Sequence, residues 1–159
     1  MLTISNLSVA INRTIVLRDV ELQIPDGSFV TLAGRNGAGK TTLMRSVMGL
    51  LPVRAGRIDM NGDNLVNEPD YNRVCRGIGY MPEGRRLIGQ WTVRQNILLP
   101  LQAMNRGDFD REIGRVYEFI PELRDMTDSK ASTLSGGQQK LVALARALIC
   151  GSKLLLLDE

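Results

Sequence analysis

The chain of 159 residues contains no histidine. Its commonest potential general base and metal ligand is therefore missing throughout. Cysteine is scarce as well. Cys75 and Cys150 stand alone without CxxC spacing and read as reduced, structural thiols of a cytosolic protein. There is no long hydrophobic run: stretches such as Leu154 to Leu157 are far too short to span a bilayer. The opening MLTISNLSV has neither a basic nor an apolar leader segment, so no signal peptide is expected there. Charge of one sign is also wanting. A net charge of +3 is too mild to argue for nucleic acid and reads as a mixed, solvated surface. No internal repeat or low-complexity linker is visible. What remains is 43% hydrophobic and 23% charged, the composition of one globular domain with a real core.

The patterning is β-rich first and helical later. Leu2 to Val9 and Ile15 to Ile24 alternate apolar and polar residues, as half-buried strands do. Pro25-Asp26-Gly27 is a turn, and Ser28 to Ala33 predicts a short apolar strand. A helix is expected over Lys40 to Leu50, ended by Gly49 and Pro52. Arg57 to Met60 predicts a strand closed by the turn Asn61-Gly62. Asp70 to Arg76 reads as a short helix and Gly77 to Met81 as a strand. Thr92 to Gln95 has capping-box spacing, and Phe109 to Ile120 has helical period up to Pro121. The expected last helix is Gln139 to Ile149, followed by a fully buried strand at Lys153 to Leu157.

Three motifs carry chemistry. Gly34 to Thr41, GRNGAGKT, fits GxxxxGK[ST] between an apolar strand and a helix. Glycines let successive N–H groups turn toward phosphate oxygens, and the helix N-terminus adds partial positive charge. Gly34, Asn36, Gly37, Ala38, Gly39, Lys40, Thr41 and Thr42 are the candidate nucleotide ligands. Lys40 is placed to reach the β- and γ-phosphates, and Thr41 to offer its hydroxyl to Mg²⁺. The second motif is Leu154 to Glu159, LLLLDE. A buried strand would deliver Asp158 to its carboxyl end as a Mg²⁺ ligand, and Glu159 as the base that orients a water. The third is Leu134 to Gln138, LSGGQ, whose Ser135, Gly136, Gly137 and Gln138 open a helix and form a second phosphate cradle. An ordinary N-cap accounts for Ser135 alone, not for the whole pentapeptide.

With these in order, the chain resembles the ATP-binding subunit of ABC transporters along its whole length. The resemblance implies an α/β, P-loop NTPase (RecA-like) core with an N-terminal antiparallel β region and an inserted helical subdomain. It places the core at residues 1–89 and 151–159 and the helical subdomain at 90–150. It implies ATP and Mg²⁺ as cofactors and a head-to-tail dimer with a second ABC ATPase subunit. In that dimer LSGGQ of one copy meets the γ-phosphate held by the other. Gly79 to Arg86, GYMPEGRR, looks like the Q-loop region of the branched-chain amino-acid uptake ATPases, where glutamate replaces the usual glutamine. The spacing from Ile120-Pro121-Glu122-Leu123 to the signature is similar to that branch too. By that resemblance Glu83 senses Mg²⁺ and the attacking water, and the groove after it receives a permease helix. The implied setting is the cytoplasmic face of the inner membrane. Related urea-uptake ATPases, a non-transport ABC ATPase and an inert nucleotide-binding fragment are the alternatives. No NKxD motif speaks for a GTPase. Arg85 and Arg86 read as a solvated or permease-facing pair, and Met44 and Met48 as core filler.

Two departures from the family bring their own expectations. Ile11 stands where an aromatic ring usually stacks on adenine, so weaker and less base-selective binding is expected. The D-loop, a further strand and the switch histidine do not follow Glu159. The C-terminal part of the core is thus expected to be missing from a fragment of a longer chain. Unpaired backbone edges should then leave the isolated fragment poorly folded and almost inactive.

Overall fold

A computed structural model describes residues 1–105 and 107–158. The chain divides into two compact units, Met1–Arg73 and Val74–Glu159.

The first unit is built on strands β1 (Leu2–Ile11), β2 (Thr14–Ile24), β3 (Val53–Met60) and β4 (Asp63–Asn64), in antiparallel order β2-β1-β3-β4. Asn12 and Arg13 connect β1 to β2 with φ of 48° and 70°. Two left-handed residues give the turn whose twist suits a tight hairpin. Asn61 and Gly62 do the same between β3 and β4, with φ of 53° and 93°, as their sequence predicts. Alternation holds along β1, where Leu2, Ile4, Leu7 and Val9 are buried with Leu17 of β2 and Ile58 and Met60 of β3. The frame slips by one residue between Ile4 and Leu7, where the pairing register shifts and Asn6 has φ of 50°.

Helix α1 (Lys40–Val47) follows the glycine loop and buries Thr42, Leu43, Ser46 and Val47. It ends at Val47, short of the expected Leu50, and Gly49 follows with φ of 73°. The amide of Leu50 returns to the carbonyl of Arg45 at 2.9 Å and that of Gly49 to Ser46 at 3.0 Å, satisfying orphan carbonyls. Ser28 to Ala33 does not form the expected strand. Phe29 is 93% exposed and Val30 42%. An apolar run becomes a strand only where a neighbour supplies its ladder, and among the described residues no strand pairs with it.

The second unit begins with the end of α2 (Asp70–Cys75) and β5 (Ile78–Met81). Helices α3 (Val93–Met104), α4 (Phe109–Phe119), α5 (Glu122–Asp125) and α6 (Gly136–Leu148) follow, with a 3-10 turn at Ala131–Thr133. Strand β6 (Leu154–Leu157) pairs in parallel with β5, Ile78 opposite Leu154 and Met81 opposite Leu157. The core joins Val93, Ile97, Leu98 and Leu101 of α3 to Ile113 and Val116 of α4, Leu123 of α5, and Val142 and Ala145 of α6. The predicted capping box is present: Thr92 Oγ1 accepts from Gln95 N and Gln95 Oε1 accepts from Thr92 N. Asn96, fully buried on α3, accepts from Ile88 N at 2.8 Å and donates to the carbonyls of Ile88 and Thr92, both at 3.0 Å. That side chain fixes the preceding loop without leaving a buried amide unsatisfied. β6 is a strand as expected but not fully buried. Leu156 is 9% exposed and Leu157 42%, because among the described residues β6 has a neighbour on one side only.

Candidate functional site

The glycine loop shows why its sequence is so bare. Gly39 is the N-cap of α1, with φ of 98°. A Cβ there would sit 2.7 Å from Cδ2 of buried Leu17, so the backbone conformation favours glycine and any side chain would also have to displace Leu17. Ala38 N donates to the carbonyl of Arg35 at 3.1 Å and closes the preceding turn. Lys40 Nζ donates to the carbonyls of Gly34 at 2.9 Å and Arg35 at 3.2 Å, holding a cation at the loop's own ring. Gly34, Asn36, Gly37 and Ala38 are exposed, Thr41 is half-buried and Thr42 is buried. An ammonium and a helix N-terminus gathered on nine residues favour a polyanion. Ile11, the expected adenine neighbour, lies half-buried at the end of β1 opposite Thr14.

In the second unit, Asp158 follows β6 directly and is 5% exposed. Its amide donates to the carbonyl of Met81 at 2.9 Å, and Tyr80 Oη donates to its Oδ2 at 3.2 Å. A parallel pair of strands thus delivers one oriented carboxylate to its carboxyl end. Glu159, the expected base, lies outside the described residues. Glu83 is exposed in the loop after β5. The loop lines a cleft of about 320 Å³ with Glu83, Arg85, Arg86, Leu87, Ser132 and Gln139 among its walls.

The signature helix starts earlier than its sequence predicts, at Gly136 rather than Gln139. Ser135 is its N-cap. Ser135 Oγ accepts from Gln138 N at 3.3 Å, and Gln138 Oε1 accepts from Ser135 N at 2.9 Å. The side chains of Ser135 and Gln138 are therefore engaged in a capping box, which anchors the helix start. The amides of Gly136 and Gly137 lie in the first turn, where no carbonyl precedes them at helical distance.

Three groups were not visible as functional in the sequence. Arg73, 1% exposed, donates to the carbonyls of Val47 and Leu65. Arg146 of α6 donates to the carbonyls of Arg85 and Arg86, and burial lowers its pKa. Gln139 joins Arg85 to the turn before Ser135. Arg85 lies 54 residues from Gln139 in sequence, the carbonyls that Arg146 reaches are 60 and 61 residues from it, and the partner of Arg73 on α1 is 26 away. Cys150 is buried next to Arg146, and desolvation pushes its thiol up to about 11.

Among the described residues no cluster of three or more His, Cys, Asp or Glu forms a ready-made metal centre. The Thr41 hydroxyl and the Asp158 carboxylate are hard oxygen donors of the class that suits Mg²⁺, an ion that keeps several waters and needs few protein ligands. No described helix is long and apolar enough to cross a membrane.

A family described as ABC transporter matches residues 17–159. The chain is 35% identical over its whole length to BraG, a high-affinity branched-chain amino acid transport ATP-binding protein of Pseudomonas aeruginosa, and spans 68% of that protein. It is 36% identical over 160 aligned positions to LptB, the lipopolysaccharide export system ATP-binding protein of Escherichia coli K12, covering 99% of this chain and 66% of that protein. The dimeric structure of MJ0796, a bacterial ABC transporter cassette, superposes with a TM-score of 0.87 at 26% identity, over 100% of this chain and 74% of that one. The α/β fold, the glycine loop and the capped LSGGQ helix thus sit in a known framework, and the chain belongs to the ABC transporter ATP-binding family.

Proposed function

We propose that this chain forms part of the ATP-hydrolysing subunit of an ABC importer and energises uptake of branched-chain amino acids. The observation that carries the ATPase reading is the loop around Lys40, with glycine favoured at position 39 and the ammonium already drawn to the loop's carbonyls. A triphosphate entering there would exchange those carbonyl contacts of Lys40 for phosphate oxygens. The helix N-terminus stabilises the added charge. Mg²⁺, when bound, neutralises the phosphate oxygens across which charge shifts during transfer. Thr41 and Asp158 are the residues proposed to hold it, with Glu83 sensing it. Glu159 orients the attacking water. The Gly136 and Gly137 amides of a second copy close on the γ-phosphate, which makes the working unit a dimer. In this proposal residues 1–89 and 151–159 make the nucleotide core and 90–150 the helical subdomain. The cleft beside Glu83 faces a membrane permease, which places the subunit on the cytoplasmic side of the inner membrane. Ile11 covers the purine by apolar contact only.

The cargo rests on less. The GYMPEGRR loop and the likeness to BraG favour branched-chain amino acids, while the 36% identity to LptB supports a second reading in which the same ATPase drives another cargo. Two measurements decide. Wild-type intact protein should bind and hydrolyse MgATP, and Lys40→Met should lose at least about a hundredfold in turnover. Retained turnover in Lys40→Met would refute the ATPase reading. Uptake of labelled leucine by cells with and without the gene tests the cargo, and no difference points to the second reading.

A further inference from the structure

The loop after β5 is tied to α6 at two places. Arg146 Nη1 donates to the carbonyl of Arg86 at 2.9 Å, and its Nη2 donates to the carbonyl of Arg85. Arg85 and Arg86 have φ of 55° and 50°, a left-handed conformation that non-glycine residues keep only when something holds them. Arg146 is that hold. The side chain of Arg85 then makes a separate connection. Its Nη1 donates to Gln139 Oε1 at 3.1 Å. Gln139 Nε2 donates to the carbonyls of Ala131 and Leu134, each at 3.2 Å. Those two carbonyls bracket the turn that ends at Ser135, the cap of the signature helix. A Cβ on Gly136 would lie 3.6 Å from Arg85 Nη1, so the guanidinium sits beside the helix's first residue.

We propose that Arg85 is a positioning residue that, through Gln139, passes displacement of the Glu83 loop to the Ser135–Gly137 turn. Arg146 already fixes the loop backbone, so the Arg85 side chain is not needed to hold the loop. Its role is to make the cleft wall and the signature turn move as one. A partner seated in the cleft against Glu83 and Ser132 would thereby adjust the amides that close on ATP in the dimer. Cargo engagement and nucleotide closure are then linked at the signature turn by the Arg85–Gln139 contacts, beside the tie that Arg146 makes to the body of α6. This inference rests on the ATPase reading for its functional half only.

The test uses the intact protein and compares wild type with Arg85→Met, Arg85→Lys, Gln139→Leu and the Arg85→Met/Gln139→Leu double variant. Amide hydrogen exchange over residues 131–139 reads the relay directly and needs no turnover. Arg85→Met should speed exchange there about tenfold, the scale of one charge-assisted hydrogen bond. It should lower kcat about tenfold while KM for ATP stays within about twofold. The double variant should be no worse than either single one, and Arg85→Lys should recover part of the loss. Unchanged exchange over 131–139, or additive losses in the double variant, would overturn the relay. If wild type itself shows no ATP turnover, the ATPase reading fails, and the exchange result still decides whether Arg85 positions the turn.

Discussion

Replacing Arg73 by methionine should cost about 3 kcal/mol of folding stability. Its guanidinium is 1% exposed and donates to the carbonyl of Val47, at the end of α1, and to that of Leu65. A third contact, to the carbonyl of Glu68, is longer at 3.4 Å. Methionine fills the space but donates nothing. The Val47 carbonyl, left without this donor, costs roughly 1–3 kcal/mol; the Leu65 carbonyl keeps the Glu68 amide at 2.9 Å and loses only a charge-assisted bond worth roughly 1.5–3, so the two close contacts amount to roughly 3–6. Relief from burying a charge works the other way and trims the upper end. The position matters further because a cation at the C-terminus of α1 opposes the helix dipole's negative end. Urea unfolding of the intact protein, followed by far-UV circular dichroism, checks the figure. Fluorescence is the wrong probe, since the one tryptophan, Trp91, lies in the other compact unit. With a slope of about 2 kcal/mol per molar urea, the midpoint should fall by about 1.5 M. Arg73→Lys should recover part of this, because a single ammonium reaches fewer carbonyls. A midpoint shift under about 0.3 M for Arg73→Met would refute the reasoning.

The two thiols should differ. Cys75 is exposed and Cys150 buried, so one thiol per chain should react with a disulfide reagent in the native protein and two in urea. The Cys150 thiol, at about 11 instead of its ordinary 9.0, keeps its proton in the folded chain while the unfolded chain loses it. Stability should therefore fall from about pH 9 to about pH 11, by at most ~1.4 kcal/mol per pH unit, and Cys150→Ala should flatten that slope in pH-dependent urea titrations. Gly137→Ala should raise the melting temperature by a few degrees, since alanine gains up to ~1 kcal/mol over glycine in a helix, and should at the same time lower ATP turnover. A variant that is both more stable and fully active would count against ligand approach at Gly137.

Much of the fold was readable from local pattern because its causes are local. The turn at Asn61-Gly62, the end of α1 ahead of Gly49 and the capping box at Thr92 each depend on residues within five positions of one another. Ser28 to Ala33 was misread because its strand character depends on a neighbour that local pattern cannot reveal. The same limit explains Leu157, an apolar residue left 42% exposed on a strand with a single partner. Arg73, Asn96 and the Arg85–Gln139 pair went unnoticed for a related reason. Arginine, asparagine and glutamine look like solvated surface in sequence, and only the assembled chain brings carbonyls to them.

The glycines separate what the fold demands from what a ligand demands. Gly39 is favoured by the chain itself: its φ is 98° and a Cβ would have to displace Leu17. That preference would hold whether or not anything ever bound the loop. Gly137 is the opposite case. It sits in the first turn of α6, its φ is not left-handed, and a Cβ would meet nothing within 4 Å. Alanine there would be better for the helix, so the folded chain offers no reason for glycine. Capping does not supply one either, because the box is made by the side chains of Ser135 and Gln138. What glycine does provide is an uncovered amide at a positive helix end, open to an approaching anion. Capping and phosphate recognition are therefore not rival accounts of LSGGQ. Ser135 and Gln138 fix the helix start, and the two residues between them are kept small for something that arrives from outside.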